Sequence, residues 1–194
     1  MGDRRTPAAA EAIAASRGSN SRTSAIGDCA VEIAGDVDGW AEIVTAERLT
    51  EFATRALRRG PERATSVAIV LSCDDEIRDL NRRFCGKDRP TNVLSFPALS
   101  APGGPAHLGD VFLARETIER EAAELAILVT DHACHLCVHG VLHLLGYEHD
   151  DDGSAHIMES LETAILSEFG IADPYGEEPA ALAGPIQNNS HNNV

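Results

Sequence analysis

Two periodicities of apolar residues run along the 194-residue chain. Short runs rich in β-branched residues are typical of strands, and apolar residues repeated every three to four positions are typical of helices. These patterns predict strands over residues 29–34, 66–72, 92–96 and 109–114. They predict helices over residues 45–59, 74–84, 116–125, 130–145 and 154–169.

The order of these elements predicts an α+β fold in which a small mixed β-sheet packs with helices. The helix over residues 130–145 is apolar nearly all round, which is typical of a helix buried on several sides. We therefore expect this helix at the centre of the domain, packed against the sheet.

The domain is predicted to span residues 27–176. Residues 1–26 lack a sustained periodic pattern and residues 177–194 end in an Asn-rich run, so both are expected to be disordered tails. With 43% hydrophobic residues the chain can bury a core, and no apolar run approaches the roughly 18 residues that span a bilayer. Its five cysteines, an odd number, favour reduced thiols in the cytoplasm over a disulfide framework.

Three histidines near the end of the central helix have the spacing of a metal site. His139 and His143 are four residues apart, so they lie about 40° apart on one helical face. Gly146 accepts the left-handed conformation that ends a helix, and His149 follows on the returning loop. Three histidine ligands leave one position for water, as in catalytic zinc sites. The trio therefore predicts one Zn²⁺ ion with an activated water.

The residue after His139 argues against one class of zinc enzyme, the peptidases. Zinc peptidases of the His-Glu-x-x-His type carry their general base at that position, whereas this chain has Gly140. A glycine inside a helix costs about 1 kcal/mol relative to alanine, so we expect it either to allow close packing or to leave room beside the metal. A peptidase mechanism lacks its base here.

Two more histidines and two cysteines lie on the same helix. His132 and His135 share the face of His139, where each is a hydrogen-bond partner, a substrate contact, or a partly exposed or capping residue near the helix start. We do not assign either as a ligand. Cys134 and Cys137 point about 140° and 160° away from His139, so we expect them to pack in the core.

Residues 139–149 read His-Gly-Val-Leu-His-Leu-Leu-Gly-Tyr-Glu-His and resemble the signature of the YbeY family. Two earlier blocks resemble the family in order and spacing. The first joins Leu80-Asn81 to residues 86–97 (Gly-Lys-Asp-Arg-Pro-Thr-Asn-Val-Leu-Ser-Phe-Pro), and the second is residues 108–111 (Leu-Gly-Asp-Val). The likeness extends over residues 29–175.

The resemblance implies a single-strand-type, zinc-dependent endoribonuclease that hydrolyses RNA phosphodiesters with a metal-activated water. It would act in ribosomal RNA maturation, in 16S rRNA 3′ end processing and in ribosome quality control. It implies ribosomal RNA as the substrate, the ribosome or ribosomal proteins as further partners, and no membrane. It implies that His139, His143 and His149 bind the metal. No residue is assigned as general acid or base.

The net charge of −15 is unevenly distributed. Nine of the sixteen basic residues lie between positions 55 and 89, and none follows Arg120. Because RNA binding draws on Lys and Arg, we expect this segment to guide RNA towards the metal, with a solvated helix face as the alternative. The candidate RNA contacts are Arg82, Arg83, Lys87 and Arg89.

One position departs from the family pattern. The family reads Tyr-Arg-Gly where this chain reads Phe84-Cys85-Gly86. A neutral thiol cannot make the bidentate phosphate contact of a guanidinium. Compensation by the neighbouring Arg82 or Arg83 and a purely structural role for the family arginine are two explanations that keep the nuclease. The departure also makes an alternative function more credible here than in a typical family member: a non-catalytic ribosome-assembly factor with a structural zinc. A third hypothesis, metal-dependent hydrolysis of a peptide or small molecule, keeps the metal site but explains the 86–97 block poorly.

Overall fold

A five-stranded mixed sheet forms the framework of the domain. The computed structural model describes residue 15 and residues 21–26, 29–61, 64–98 and 106–176. The strands are β1 (Arg22–Ile26), β2 (Cys29–Gly35), β3 (Ala64–Ser72), β4 (Val93–Pro97) and β5 (Ala106–Ala114). Their order is β1-β2-β3-β5-β4, with β2, β3 and β5 parallel and both edge strands antiparallel to their neighbours. The predicted α+β fold with a small mixed sheet is confirmed.

Helices follow the strands along the chain. They are α1 (Val37–Trp40), α2 (Ala46–Leu57), α3 (Asp74–Leu80), α4 (Arg115–Glu124), α5 (Val129–Leu144) and α6 (Asp152–Ser167). A π-helical turn, Asn81–Cys85, continues α3. The five predicted helices correspond to α2 through α6, because each buries apolar residues whose helical spacing is visible in the sequence.

The two faces of the sheet carry separate cores because side chains alternate along each strand. On β3, Val67, Ile69 and Leu71 face the larger core. The smaller core on the opposite face contains three phenylalanines in edge-to-face contact: Phe84, Phe96 and Phe112. The sheet is thus covered on both sides over its central strands.

Helix α5 occupies the middle of the larger core, in contact with α2, α4, α6, β4 and β5. Its central position, predicted from its apolar composition, is confirmed. Cys134 and Cys137 are fully buried within that core, as expected. Burial raises the pKa of Cys134 to about 11 and raises the pKa of Cys137 well above its ordinary value.

The N-terminal edge of the sheet differs from the expectation. The tail predicted over residues 1–26 does not hold for Arg22–Ile26, which form β1 and pair with β2 in register from Arg22 opposite Ile33 to Ile26 opposite Cys29. Residues 22–25 of β1 are exposed, so this part of the strand rests on ladder hydrogen bonds and leaves no apolar period in the sequence. The tail predicted over residues 177–194 lies outside the described residues.

Among the helices that the structure describes, none alone is long and apolar enough to cross a bilayer. By length and composition only, α4 and α5 meet that test together, as a pair bent by 117°.

Candidate metal centre

His139 and His143 lie one turn apart on α5 and turn their rings towards each other. Their Nε2 atoms are 3.0 Å apart. Each side chain is 21% exposed, so the pair opens to solvent although the helix itself is buried. The four-residue spacing thus gives the shared face that the sequence predicts.

The end of α5 brings His149 to the same place. Gly146 has a φ of +94°, and its N–H and that of Tyr147 donate to the carbonyls of His143 and Leu142 at 3.0 and 3.1 Å. These two bonds form a Schellman motif, the helix ending that a glycine at this position favours. The chain turns back, and one nitrogen of each of the three rings lies within 4.8 Å of the others. His149 is the most exposed of the three.

Hydrogen bonds on the far sides of the two helical rings engage both of their Nδ1 atoms. His143 Nδ1 donates to the Tyr147 carbonyl at 3.0 Å, because a carbonyl can only accept. His139 Nδ1 donates to a carboxylate oxygen of Glu162 at 2.9 Å. A neutral imidazole carries one N–H, so both Nε2 atoms present lone pairs to each other. A shared cation satisfies this arrangement, and three imidazole nitrogens suit zinc.

The environment also favours a neutral ring at His143. Burial lowers the pKa of His143, and the neighbouring His139 lowers it further. The neutral imidazole is the form that binds a metal ion.

A buried carboxylate on α6 supports the histidines. Glu162 is fully buried, and its Oε1 accepts the bond from His139. Its Oε2 accepts from His135 Nε2 at 2.8 Å and from the hydroxyl of Tyr175. Burial alone would raise the pKa of Glu162, but these hydrogen bonds outweigh burial and lower the pKa to about 2. The carboxylate is therefore ionised at neutral pH, and both of its oxygens act as acceptors.

A second group of potential metal-ligand atoms, one each from His135, His139 and Glu162, also lies within 4.8 Å of one another. The hydrogen bonds from both rings to Glu162 account for this closeness. We therefore interpret the group as the support of the three-histidine site, with the carboxylate fixing which ring nitrogen of His139 carries its proton.

His132 takes part in a separate hydrogen-bonded chain nearer the start of α5. It is 6% exposed, and its Nε2 is 2.8 Å from Glu121 Oε2. The Asn92 amide donates to the same oxygen at 2.9 Å. Of the alternatives for His132 and His135, the hydrogen-bonding role describes both, and neither caps the start of the helix.

Gly140 allows α5 to approach the sheet closely. A Cβ at this position would lie 2.4 Å from Val111 Cγ1 on β5 and 3.1 Å from Ser95 Oγ on β4. Ser95 Oγ also donates to the Gly140 carbonyl at 3.0 Å. Of the two expectations for this glycine, close packing is the one that the structure supports.

Comparison with known proteins is consistent with this arrangement. Residues 38–170 match the family model described as "Endoribonuclease YbeY". The Endoribonuclease YbeY of Rhodospirillum rubrum is 51% identical over 136 residues, which are 67% of this chain and 66% of that protein. The Endoribonuclease YbeY of Agrobacterium fabrum is 43% identical over 165 residues, which are 77% of this chain and 96% of that protein.

The chain belongs to the YbeY family. The Endoribonuclease YbeY of Paramagnetospirillum magneticum is also 47% identical over 76% of this chain and 98% of that protein. The solution structure of TM1509 from Thermotoga maritima is similar at 24% identity, with a TM-score of 0.45 over 76% of this chain and 99% of that chain.

Parts of the three sequence blocks that resemble the YbeY family meet at α5. The first block supplies β4 and Asn92, and the second supplies the middle of β5. Ser95 and Val111, from these two strands, both contact the helix at Gly140. Blocks far apart in sequence thus form one layer behind the three histidines.

The four candidate RNA contacts lie on the π-helical turn and the loop after it. All four are exposed. Arg82 and Arg83 both pair with Asp79, at 2.5 and 3.3 Å. The backbone around Lys87 and Arg89 is held by Asn81, whose carbonyl accepts from Lys87 N–H and whose amide donates to the Arg89 carbonyl at 2.8 Å. Their role in RNA binding remains a prediction.

Cys85, at the position where the family pattern has arginine, is the last residue of the π-helical turn. Its side chain is partly buried and packs against the phenylalanine core. The structure thus gives this thiol an apolar setting.

Sequence reasoning did not identify Glu162, Glu121 or Tyr175. Glu162 had one usable signal, since it lies at helical spacing with the buried Met158, Ile165 and Leu166, where a carboxylate needs a partner. Glu121 and Tyr175 carry no comparable signal, because each meets its histidine only through tertiary folding.

Proposed function

We propose that this protein is a metal-dependent endoribonuclease in which His139, His143 and His149 hold one Zn²⁺ ion. The observation that carries the proposal is the approach of the two Nε2 atoms to 3.0 Å, with both Nδ1 atoms engaged elsewhere. The YbeY relatives, each named an endoribonuclease, support RNA as the substrate class.

When bound, zinc at such a site supplies a water of lowered pKa and a positive charge close to the phosphate. Glu162 holds the His139 ring in the tautomer that leaves Nε2 free, and the Tyr147 carbonyl does the same for His143. All three rings are open to solvent on one side. Gly140 contributes no base, so the geometry supports hydrolysis without the glutamate of the His-Glu-x-x-His peptidases.

We propose Arg82, Arg83, Lys87 and Arg89 as contacts to the RNA backbone. Their exposure suits electrostatic attraction to phosphate. Asp79 neutralises part of that charge, and we expect Arg82 and Arg83 to exchange this carboxylate for phosphate when RNA binds.

The natural substrate we propose is ribosomal RNA in the cytoplasm, with processing of the 16S rRNA 3′ end and ribosome quality control as the biological setting. The ribosome or its proteins would then be partners. These finer assignments follow from the resemblance of the three sequence blocks to the YbeY family.

The test is cleavage of structured ribosomal RNA by the purified protein with its zinc content quantified. The His139→Ala/His143→Ala double variant is the control, because it exposes contaminating nuclease. Zinc near one equivalent together with cleavage that the variant loses would support the proposal. Cleavage that persists in the variant would overturn it.

A second candidate is a non-catalytic ribosome-assembly factor with a structural zinc. The apolar setting of Cys85, where the family pattern has arginine, is the observation that favours it. This candidate predicts zinc binding and RNA or ribosome binding, with unfolding on zinc removal and no cleavage under any condition. Replacing Cys85 by Arg discriminates the two, since a gain of cleavage in Cys85→Arg alone would favour the assembly factor for the natural sequence.

A further inference from the structure

The turn after α6 reaches back to the histidine cluster. Residues 171–176 lie beyond the segment that matches the family model, which ends at residue 170. Tyr175, on this turn, donates its hydroxyl to Glu162 Oε2. Its ring also meets the His135 ring edge-on, with centroids 5.7 Å apart.

Asp173 holds Tyr175 in this position. Its Oδ1 accepts from the Tyr175 N–H at 3.0 Å and from Thr163 Oγ1 on α6 at 2.9 Å. Thr163 is the residue next to Glu162, so the turn is tied to the stretch of helix that carries the carboxylate. Because 44% of Tyr175 is exposed, burial of its ring alone gives a weak reason for this placement.

The two oxygens of Glu162 accept hydrogen bonds from different donors. Oε1 accepts from His139 Nδ1, while Oε2 accepts from His135 Nε2 and from Tyr175. An ionised carboxylate offers only acceptor positions, so the tyrosine must donate. With Oε2 engaged by two donors, Oε1 stays directed at His139.

We propose that Tyr175 is a positioning residue for the metal centre, acting through Glu162 to fix the orientation and tautomer of His139. This inference rests on the proposed function only in that it requires zinc at the three histidines. It makes the segment after the last helix part of the metal centre. Partners of ligand histidines typically change metal affinity 10–100-fold when removed, and we expect about tenfold for Tyr175, which acts one hydrogen bond further from the ion.

The test compares Tyr175→Phe, which keeps the ring and removes the hydroxyl, with a control variant on α6. The control is Ser160→Ala, which removes a hydroxyl that bonds the His156 carbonyl on that helix. The dissociation constant for zinc is measured by competition with a chromophoric chelator, and the Co²⁺-substituted proteins are compared by their visible spectra. In the metal-free proteins, ¹⁵N NMR of histidine reports which ring nitrogen of His139 is protonated. We expect about tenfold weaker zinc binding, an altered Co²⁺ spectrum and mixed His139 tautomers in Tyr175→Phe alone.

Combination with Glu162→Gln tests the route of the effect. If Tyr175 acts through the carboxylate, Tyr175→Phe weakens zinc binding no further in the Glu162→Gln background. Wild-type zinc affinity in Tyr175→Phe, or an equal loss in both backgrounds, would overturn the inference, as would a lowered unfolding temperature with unchanged zinc affinity. Wild-type protein that binds zinc without cleaving RNA overturns the proposed nuclease alone, whereas wild-type protein that binds no zinc overturns both.

Discussion

Glu162 on α6 accepts a hydrogen bond from Nδ1 of His139 on α5 at 2.9 Å, while the other nitrogen of that ring faces His143. The carboxylate thus determines which nitrogen of His139 is available to a metal ion. Because the Glu162 side chain is fully buried, the carboxylate end of this bond is shielded from water.

Replacing Glu162 by Gln is expected to weaken zinc binding about 10–100-fold. The amide has one acceptor oxygen and one donor nitrogen, so it cannot accept from His139, His135 and Tyr175 in the same arrangement. Isothermal titration with zinc measures the effect. Glu124→Gln, an exposed carboxylate at the end of α4, is the control, and equal affinities in the two variants would contradict the assignment.

The stability of the metal-free protein is expected to fall in acid because of Glu162. Its folded-state pKa of about 2 lies below the ordinary 4.5, so its contribution to stability is present above pH 4.5 and is lost as the pH falls towards 2. The loss amounts to up to about 3 kcal/mol. Urea unfolding of chelator-treated protein at a series of pH values measures it, and Glu162→Gln should show a correspondingly shallower dependence.

Much of the candidate metal centre could be predicted from sequence because its three histidines are close together along the chain. The four-residue spacing of His139 and His143 and the glycine at position 146 define the geometry within one helix and its ending. Glu162 comes 23 positions after His139 along the chain, and only the packing of α6 on α5 brings it close. Strand β1 could not be predicted for a related reason, since its exposed residues are held by pairing with β2 rather than by a buried apolar face.

Gly140→Ala is expected to destabilise the protein by about 1–3 kcal/mol, as for overpacking in a core. Alanine gains about 1 kcal/mol in helix propensity, but its Cβ would lie 2.4 Å from a methyl of Val111, which is fully buried on β5 and cannot move aside freely. Denaturant unfolding measures the change. In the double variant with Val111→Ala, the total loss of stability should be smaller than the sum of the two single losses. A total equal to that sum would show that the contact with Val111 does not cause the destabilisation.

The arginines of the π-helical turn are expected to make RNA affinity depend on salt. Replacing Arg82 and Arg83 by Ala should weaken binding and reduce the slope of log affinity against log salt by about 0.7 for each lost contact with single-stranded RNA. Asp79→Asn should strengthen binding, because it removes the carboxylate that pairs with both arginines. Fluorescence anisotropy over a salt series measures all three proteins. Affinity that does not change with salt would contradict the electrostatic role of this turn.

The cysteines are expected to differ in reactivity. Cys73 is exposed and should be alkylated in the native protein at pH 8. Cys134 should remain unmodified, because burial shields its sulfur and raises the pKa to about 11, so the thiolate is scarce. Mass spectrometry after alkylation in buffer and in denaturant measures the difference. We expect complete modification of all five cysteines in the unfolded protein alone. Rapid native alkylation of Cys134 would mean that α5 opens readily.

The contact of Gly140 with β4 and β5 also has an evolutionary consequence. The position that carries the base in His-Glu-x-x-His peptidases faces the sheet in this fold. A single base change in a glycine codon can introduce glutamate there, but the new side chain would enter the space of Val111 and Ser95. Stability selection would remove such a variant before any gain in peptide hydrolysis could be tested. The sheet therefore closes one mutational path between this fold and the His-Glu-x-x-His peptidases.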